Sequence, residues 1–407
     1  MVMRKIYFPW VVILVSLFLI VGCGEDNDDE IIPKYLVDSE LFTPALPNTA
    51  ENIKSFLAPF GLTELSSKVK YDIKIHRITY KTLFEGDSIL VSGVVASPIP
   101  NDKNEVFPMM SYQHGTLFRK ADAPSVNTAN EFMCWLASTG LVVIIPDYIG
   151  FGASSVNFHP YMHKQYTVNA VLDMIRASKE FIKIEEPCEI NDKLFLLGYS
   201  QGGGATVAAL SAIENVPANS DLKVTATAAG GGAYDMSGFR HWIMNQQRYD
   251  KPSYLAYLLE SYSMYTDLDI NYNLVFKDKY AQLIPGLIDG IKTDETINAA
   301  FDSYAVSGLF HDSFQNHETF TTDPVYASMR KVFDENKVTG WSIQSSLSLF
   351  YGTTDVWVPG EQTMTLFQQF QDNNVGAKVR MKPLAGMNHI TAFPTTIQES
   401  LDWFSGF

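Results

Sequence analysis

One stretch, Leu194 to Gly204, constrains this chain more than any other. It reads Leu-Phe-Leu-Leu-Gly-Tyr-Ser-Gln-Gly-Gly-Gly. The four apolar residues predict a buried strand, and Gly198-Tyr199-Ser200-Gln201-Gly202 follows as Gly-x-Ser-x-Gly. Ala205, Ala208, Ala209 and Leu210 then open a helix of small residues. A strand that turns sharply into a helix at a serine is a nucleophile elbow. Its serine backbone is strained, and only glycine fits at Gly198 and Gly202, where strand and helix nearly touch. The helix start aims free N–H groups at negative charge developing on a reacting atom. A glycine-rich turn with an incidental serine shares the bare motif, but not the strand before it and the helix after it.

The rest of the chain alternates in the way such an elbow requires. Tyr71 to Tyr80 and Ile89 to Ala96 predict two strands of a hairpin across Glu85-Gly86-Asp87. Phe107 to Tyr112 (strand), Asn127 to Ser138 (helix), Leu141 to Pro146 (strand) and Tyr166 to Phe181 (helix) lead to the elbow. After it come a helix to about Ile213 and a strand over 222–229. Ser346 to Tyr351, Glu361 to Phe370, Lys378 to Pro383 and Thr395 to Phe404 repeat strand, helix, strand, helix. Continuous apolar strands separated by helices predict a mostly parallel sheet covered on both faces, with an antiparallel hairpin at its start. Residues 235–340 break the alternation. They are rich in Tyr and Leu and predict an inserted helical cap over the sheet's carboxyl edge. Tyr254, Tyr257, Tyr262 and Tyr265 fall on more than one helical face, so they cannot all line a pocket.

The first residues read as an address. Arg4 and Lys5 precede an apolar run from Ile6 to Val21, and small residues lead to Cys23. This describes a secretory signal over residues 1–22; a short uncleaved anchor is the alternative, although the run falls short of the ~20 residues that span a bilayer comfortably. Ile20-Val21-Gly22-Cys23 resembles the lipobox of bacterial lipoproteins, which implies cleavage before Cys23 and a lipid thioether on its sulfur. Residues 23–50 then form an acidic tether and lead-in, the main domain running over 51–407. The acids Glu25, Asp26, Asp28, Asp29 and Glu30 resemble signals that send some lipoproteins to the outer face of the outer membrane.

Loss of residues 1–22 removes two cations and no acid, moving the formal charge from -15 to -17. So acidic a protein gains nothing from neutralising phosphates, which excludes nucleic acid as a natural partner. With Cys23 lipidated, Cys134 (in an apolar helical pattern) and Cys188 (in a loop) read as two separate thiols, although an exported protein could join them.

Serine needs an imidazole to take its proton, and the imidazole needs a carboxylate to hold its tautomer. With an elbow the chain order is serine, acid, histidine. His389, in Gly386-Met387-Asn388-His389 between the last strand and the last helix, is the candidate base. Asp355 leaves a strand through Gly352-Thr353-Thr354 and is the candidate acid, with Asp235 the rival. The oxyanion would be held by the N–H of Gln201 and that of Thr116, in a loop shaped by His114 and Gly115. His159 and His163 stand four apart, but Pro160 between them and the lack of a glutamate partner speak against zinc. The chemistry asks for no metal and no cofactor.

The elbow, His114-Gly115-Thr116, Pro146-Asp147-Tyr148-Ile149-Gly150-Phe151-Gly152 and His159-Pro160-Tyr161 together resemble the α/β-hydrolase superfamily, and within it the secretory lipase-type esterases. The resemblance covers about residues 70–235 and 340–407, with the cap matched in position only. It implies an α/β-hydrolase fold, with Asp147 and Tyr148 supporting the site. The expectation is a lipid-anchored serine esterase acting on a small-molecule or acylated-glycan ester. A serine peptidase on the same fold and an inactive surface binding lipoprotein are the alternatives. The peptidase would want a carboxylate in the cap for a substrate amine, for which Glu260, Asp267 and Asp269 are available.

Overall fold

In the computed structural model, described over residues 33–43, 47–58, 63–127, 132–186, 188–373 and 377–407, one sheet of nine strands organises the chain. The strands are β1 (Leu36–Phe42), β2 (Ile73–Phe84), β3 (Asp87–Pro98), β4 (Val106–Gln113), β5 (Val142–Pro146), β6 (Glu189–Tyr199), β7 (Ala226–Gly230), β8 (Ser346–Gly352) and β9 (Val379–Leu384). Their order is β1-β2-β3-β5-β4-β6-β7-β8-β9. The first three strands and the β3–β5 pair are antiparallel, and β5-β4-β6-β7-β8-β9 are parallel.

The hairpin closes where the sequence predicted it. Phe84 pairs with Asp87, and Glu85 and Gly86 make the two-residue turn with φ of 51° and 90°. Two consecutive positive φ values match the right-handed twist of the flanking strands, which is why a glycine sits there.

Helices cover both faces. On one side α3 (Lys164–Glu185), α4 (Gln201–Asn215) and the helix Gly360–Asp372 share a core with β4, β6 and β8. On the other, α1 (Ala50–Leu57), the short α2 (Thr63–Lys68) and the helix His389–Phe404 pack with Trp135, Phe195 and Phe350. Cys188 belongs to the first core and Cys134 to the second, and no disulfide joins them.

Three local readings need correction. The supposed lead-in contains β1, which pairs with β2, so the folded part reaches upstream of residue 51. Only Leu36 of this strand is buried, so as an edge strand it carries no apolar alternation to read. Residues Phe132–Thr139 form 3₁₀ turns rather than an α-helix. Met133 to Ser138 are all buried, so no solvent face imposes the α-helical period. The last helix begins at His389 and not near Thr395. Pro394 lies inside it, and a proline in the chain reads as a stop.

Between β7 and β8 the described residues hold no strand. They run through α5 (Met236–Met244), α6 (Pro252–Tyr265) and several shorter helices, ending with the helix Ala327–Glu335. This segment has its own apolar core, joined by Phe118, Tyr161 and Val358 from loops that follow β4, β5 and β8. The register aligns the C-terminal ends of the parallel strands: Gln113 with Gly198, Tyr199 with Gly230, and Gly352 with Leu384. The loops that leave these ends meet above one edge of the sheet.

Candidate active site

Ser200 stands between β6 and α4 with φ 59° and ψ −125°. This backbone is strained for any residue with a Cβ. Its flanks must be glycine. A Cβ on Gly198 would lie 2.2 Å from the Gly202 carbonyl oxygen, and one on Gly202 would lie 1.8 Å from that of Gln113. The turn thereby lifts the Ser200 hydroxyl out of the sheet edge while the Ser200 N–H donates to the Gly230 carbonyl at 2.9 Å.

Two loops converge on that hydroxyl. His389 is the first residue of its helix, preceded by Asn388, whose side chain accepts from the N–H groups of Ile390 and Thr391. Asp355 follows β8, and its Oδ1 accepts from the N–H groups of Trp357 and Val358 at 2.9 and 3.0 Å. The loops are locked together: a Cβ on Gly352 would meet the Met387 oxygen at 2.4 Å, and the Thr354 N–H donates to the same carbonyl at 3.1 Å. His389 Nδ1 lies 2.6 Å from Asp355 Oδ2, and Nε2 lies 2.9 Å from Ser200 Oγ. A carboxylate only accepts, so Nδ1 carries the hydrogen and the Nε2 lone pair faces the serine hydroxyl. All three side chains are buried.

Asp235, the rival acid, is employed elsewhere. It caps α5 by accepting from the Gly238 N–H at 3.1 Å and pairs with Lys337 at 2.7 Å.

Gln201 opens α4, so its N–H has no intrahelical acceptor. Opposite, the loop after β4 brings Gly115 against the elbow: a Cβ there would stand 3.7 Å from that of Ser200. The Thr116 hydroxyl and the Tyr161 hydroxyl share a hydrogen bond of 3.0 Å. His114 shapes the loop. Its Nδ1 lies 2.7 Å from the Gly115 carbonyl and its Nε2 lies 3.2 Å from that of Asp147. Burial drives the His114 imidazole down to about 4, so it is neutral at neutral pH and donates to one carbonyl at a time. The Tyr148 hydroxyl donates to the His114 carbonyl at 3.2 Å. Asp147 accepts from the Ser125 N–H at 2.8 Å and from the hydroxyls of Ser92 and Ser125. Burial raises its carboxyl while these donors oppose the rise.

His159 plays a part the sequence did not disclose. Its Nδ1–H donates to the Ile149 carbonyl at 2.7 Å, leaving Nε2 to accept from the Gln201 side-chain amide at 2.9 Å. Burial holds it near 3, so this tautomer persists. Gly150, at φ 92°, allows the approach, since a Cβ there would come within 2.5 Å of the His159 Cα. Both nitrogens are thus engaged, and among the described residues no cluster of three metal-ligating side chains forms.

A cavity opens on Ser200, bounded by Tyr161, Met162, Met236, Tyr254, Leu255 and Leu258 among others. Of the four tyrosines on α6 marked in the sequence, Tyr254 lines it. Tyr257 stacks on Tyr161 with centroids 4.5 Å apart, and the hydroxyls of Tyr262 and Tyr265 donate to the carbonyls of Met162 and Phe158. Glu260, Asp267 and Asp269 do not line the cavity, and Glu260 accepts from the Tyr272 hydroxyl at 3.0 Å. Cys23 lies outside the described residues.

The sheet order and the strained serine after its β6 strand define an α/β-hydrolase. The profile of the secretory lipases matches residues 119–406, well over half of the chain, and the protein belongs to that family of ester hydrolases. A Legionella pneumophila structure described as a hydrolase is 27% identical, with a TM-score of 0.79 over 92% of this chain and 98% of that one. The rice cell wall degrading esterase LipA of Xanthomonas oryzae is 23% identical, with a TM-score of 0.72 over 88% and 92%. Candida antarctica lipase A in its closed state is 17% identical, with a TM-score of 0.61 over 88% and 78%. The last two share the fold. No curated protein sequence matches the chain. Among the described residues no helix is long and apolar enough to cross a membrane.

Proposed function

We propose that Ser200 is the nucleophile of a carboxylic ester hydrolase, His389 its general base and acid, and Asp355 the carboxylate that orients His389. The observation that carries this reading is the unbroken hydrogen-bonded line from Asp355 Oδ2 through His389 to Ser200 Oγ, 2.6 and 2.9 Å. His389 Nε2 takes the serine proton as Oγ attacks the ester carbonyl, and Asp355 stabilises the imidazolium that results. The N–H groups of Gln201 and Thr116 hold the oxyanion. His389 then hands the proton to the leaving alcohol, and a water activated by the same imidazole releases the acid from Ser200. No cofactor enters. His114, Asp147 and Tyr148 hold the oxyanion loop in place.

Residues 235–340 act as a cap that shapes the pocket. An acylated glycan is among the substrates this reading covers, the Xanthomonas relative being described as degrading rice cell wall. The chain is delivered by a signal over residues 1–22 and held at the cell envelope by lipid on Cys23.

The test is a panel of p-nitrophenyl esters and aminoacyl anilides on the full-length protein in detergent. Turnover of the esters, with Ser200→Ala and His389→Ala each lowering kcat by on the order of 10⁵ to 10⁶, is the expected result. The double variant should be no worse than the single ones, because the two side chains act as a unit. Faster turnover of the anilides would turn the reading toward a peptidase, and retention of a hundredth of the activity in Ser200→Ala would mean another nucleophile.

A further inference from the structure

The cavity on Ser200 is not a plain hydrocarbon slot. Arg240 and Tyr249 line it together with its apolar walls. Arg240 is 1% exposed, and a buried charge is costly unless a counter-charge and hydrogen bonds offset it. Its guanidinium carbon lies 4.9 and 4.2 Å from the ring centroids of Phe314 and Phe320, and Nη2 donates to the Asn316 carbonyl at 3.3 Å. These contacts fix the side chain without neutralising it. Among the described residues Nε and Nη1 have no acceptor, and the Tyr249 hydroxyl has no partner either. Arg176 in the same chain shows the ordinary arrangement, with Asp173 at 3.1 Å and Asp221 at 2.8 Å. Among the described residues no carboxylate pairs with Arg240 in that way. Burial lowers it to about 10, so it keeps its charge at neutral pH.

We propose that Arg240 receives a negatively charged group, a carboxylate above all, carried on one arm of the ester substrate. A water or a neutral amide could satisfy the N–H donors, but only an anion supplies the missing counter-charge. The rings of Phe314 and Phe320 pre-position the guanidinium, so little side-chain entropy is lost when the anion arrives. The Tyr249 hydroxyl offers one more donor in the same cavity. This inference rests on the reading of Ser200 as nucleophile and narrows the esters it would take. An uncharged acyl chain would leave the guanidinium uncompensated.

Two matched pairs of esters test it, each measured as kcat/KM at pH 8 with the full-length protein. Mono-p-nitrophenyl adipate against p-nitrophenyl hexanoate places the charge on the acyl arm. The butanoate ester of 4-hydroxybenzoate against that of 4-methylphenol places it on the alcohol arm. The wild-type protein should favour the charged member of one pair by tenfold or more, which also identifies the arm. Arg240→Met should collapse that ratio toward one, and Arg240→Lys should keep part of it. The wild-type ratios stand on their own should Arg240→Met fail to fold. Preference for the neutral ester in both pairs, or a charged-ester preference that survives Arg240→Met, overturns the proposal. No turnover of any of the four esters would defeat the reading of Ser200 itself and this proposal with it.

Discussion

The Tyr199 hydroxyl donates to the main-chain carbonyl of His389 at 2.7 Å, although 190 residues separate the two. The residue immediately before Ser200 thus holds the backbone of the histidine that faces its hydroxyl. The Tyr199 ring also packs 5.1 Å from the imidazole, and the Trp357 ring packs 5.4 Å from it. The imidazole is held by its hydrogen bonds and contacted by two aromatic rings.

Tyr199→Phe keeps the ring and removes this bond. The expected loss of stability is ~0.5–1.5 kcal/mol, read as a lower urea midpoint. Because the bond sets where His389 sits, kcat should fall several-fold while KM changes little. Unchanged kcat with a lower midpoint would confine Tyr199 to a structural part.

Stability should fall on acidification through two buried imidazoles. His114 and His159 are held near 4 and 3 in the fold against 6.5 when unfolded. Below about pH 6.5 the unfolded chain takes up protons that the fold refuses, so stability drops as pH falls from there toward 4. Urea midpoints at pH 7, 5.5 and 4.5 should descend. His159→Gln keeps an acceptor for Gln201 and cannot ionise, so its midpoints should descend less steeply. Equal slopes in the two proteins would rule this origin out.

The elbow and the line behind it were legible because chemistry dictates their spacing. Glycine at Gly198 and Gly202 is demanded by contacts of 2.2 and 1.8 Å, and an acid and a histidine must follow the later strands. The parallel strands were legible because burial on both faces leaves uninterrupted apolar runs. What the sequence concealed depends on tertiary contacts. β1 is an edge strand with one buried residue. The His159–Gln201 bond joins a loop to the first residue of α4, and nothing local to either announces it. Arg240 reads as one more charge on an amphipathic helix, and only the packing of Phe314 and Phe320 around it reveals that it is buried. Pro394, five residues into the last helix, reads as a stop and hides the start of that helix at His389.

The proposed lipid on Cys23 makes a prediction independent of the fold. Cys23→Ser should move the protein from the membrane fraction to a soluble one. A single acyl chain anchors only marginally, so stable attachment requires a multiply acylated cysteine. A fatty-acid probe fed to cells should label the wild type and not the variant. Equal labelling of both would remove the lipoprotein reading while leaving the enzymology intact.

The four tyrosines of α6 separate pocket from core. Tyr254 lines the cavity on Ser200, with its ring stacked 5.9 Å from that of Phe118. Tyr262 is fully buried and ties α6 to the Met162 carbonyl. Tyr254→Ala should enlarge the cavity and shift the ratio of kcat/KM between long and short acyl esters toward the long ones. Each methylene newly buried is worth about 0.8 kcal/mol, a factor of roughly four. Tyr262→Ala should leave that ratio alone and lower the Tm, since it empties a site inside the helical segment's core at a cost of ~3–5 kcal/mol. The opposite pattern, an altered ratio in Tyr262→Ala and an unaltered one in Tyr254→Ala, would place the acyl chain on the other side of α6. Chain-length selection would then have to be sought around Phe158 and Tyr265 instead.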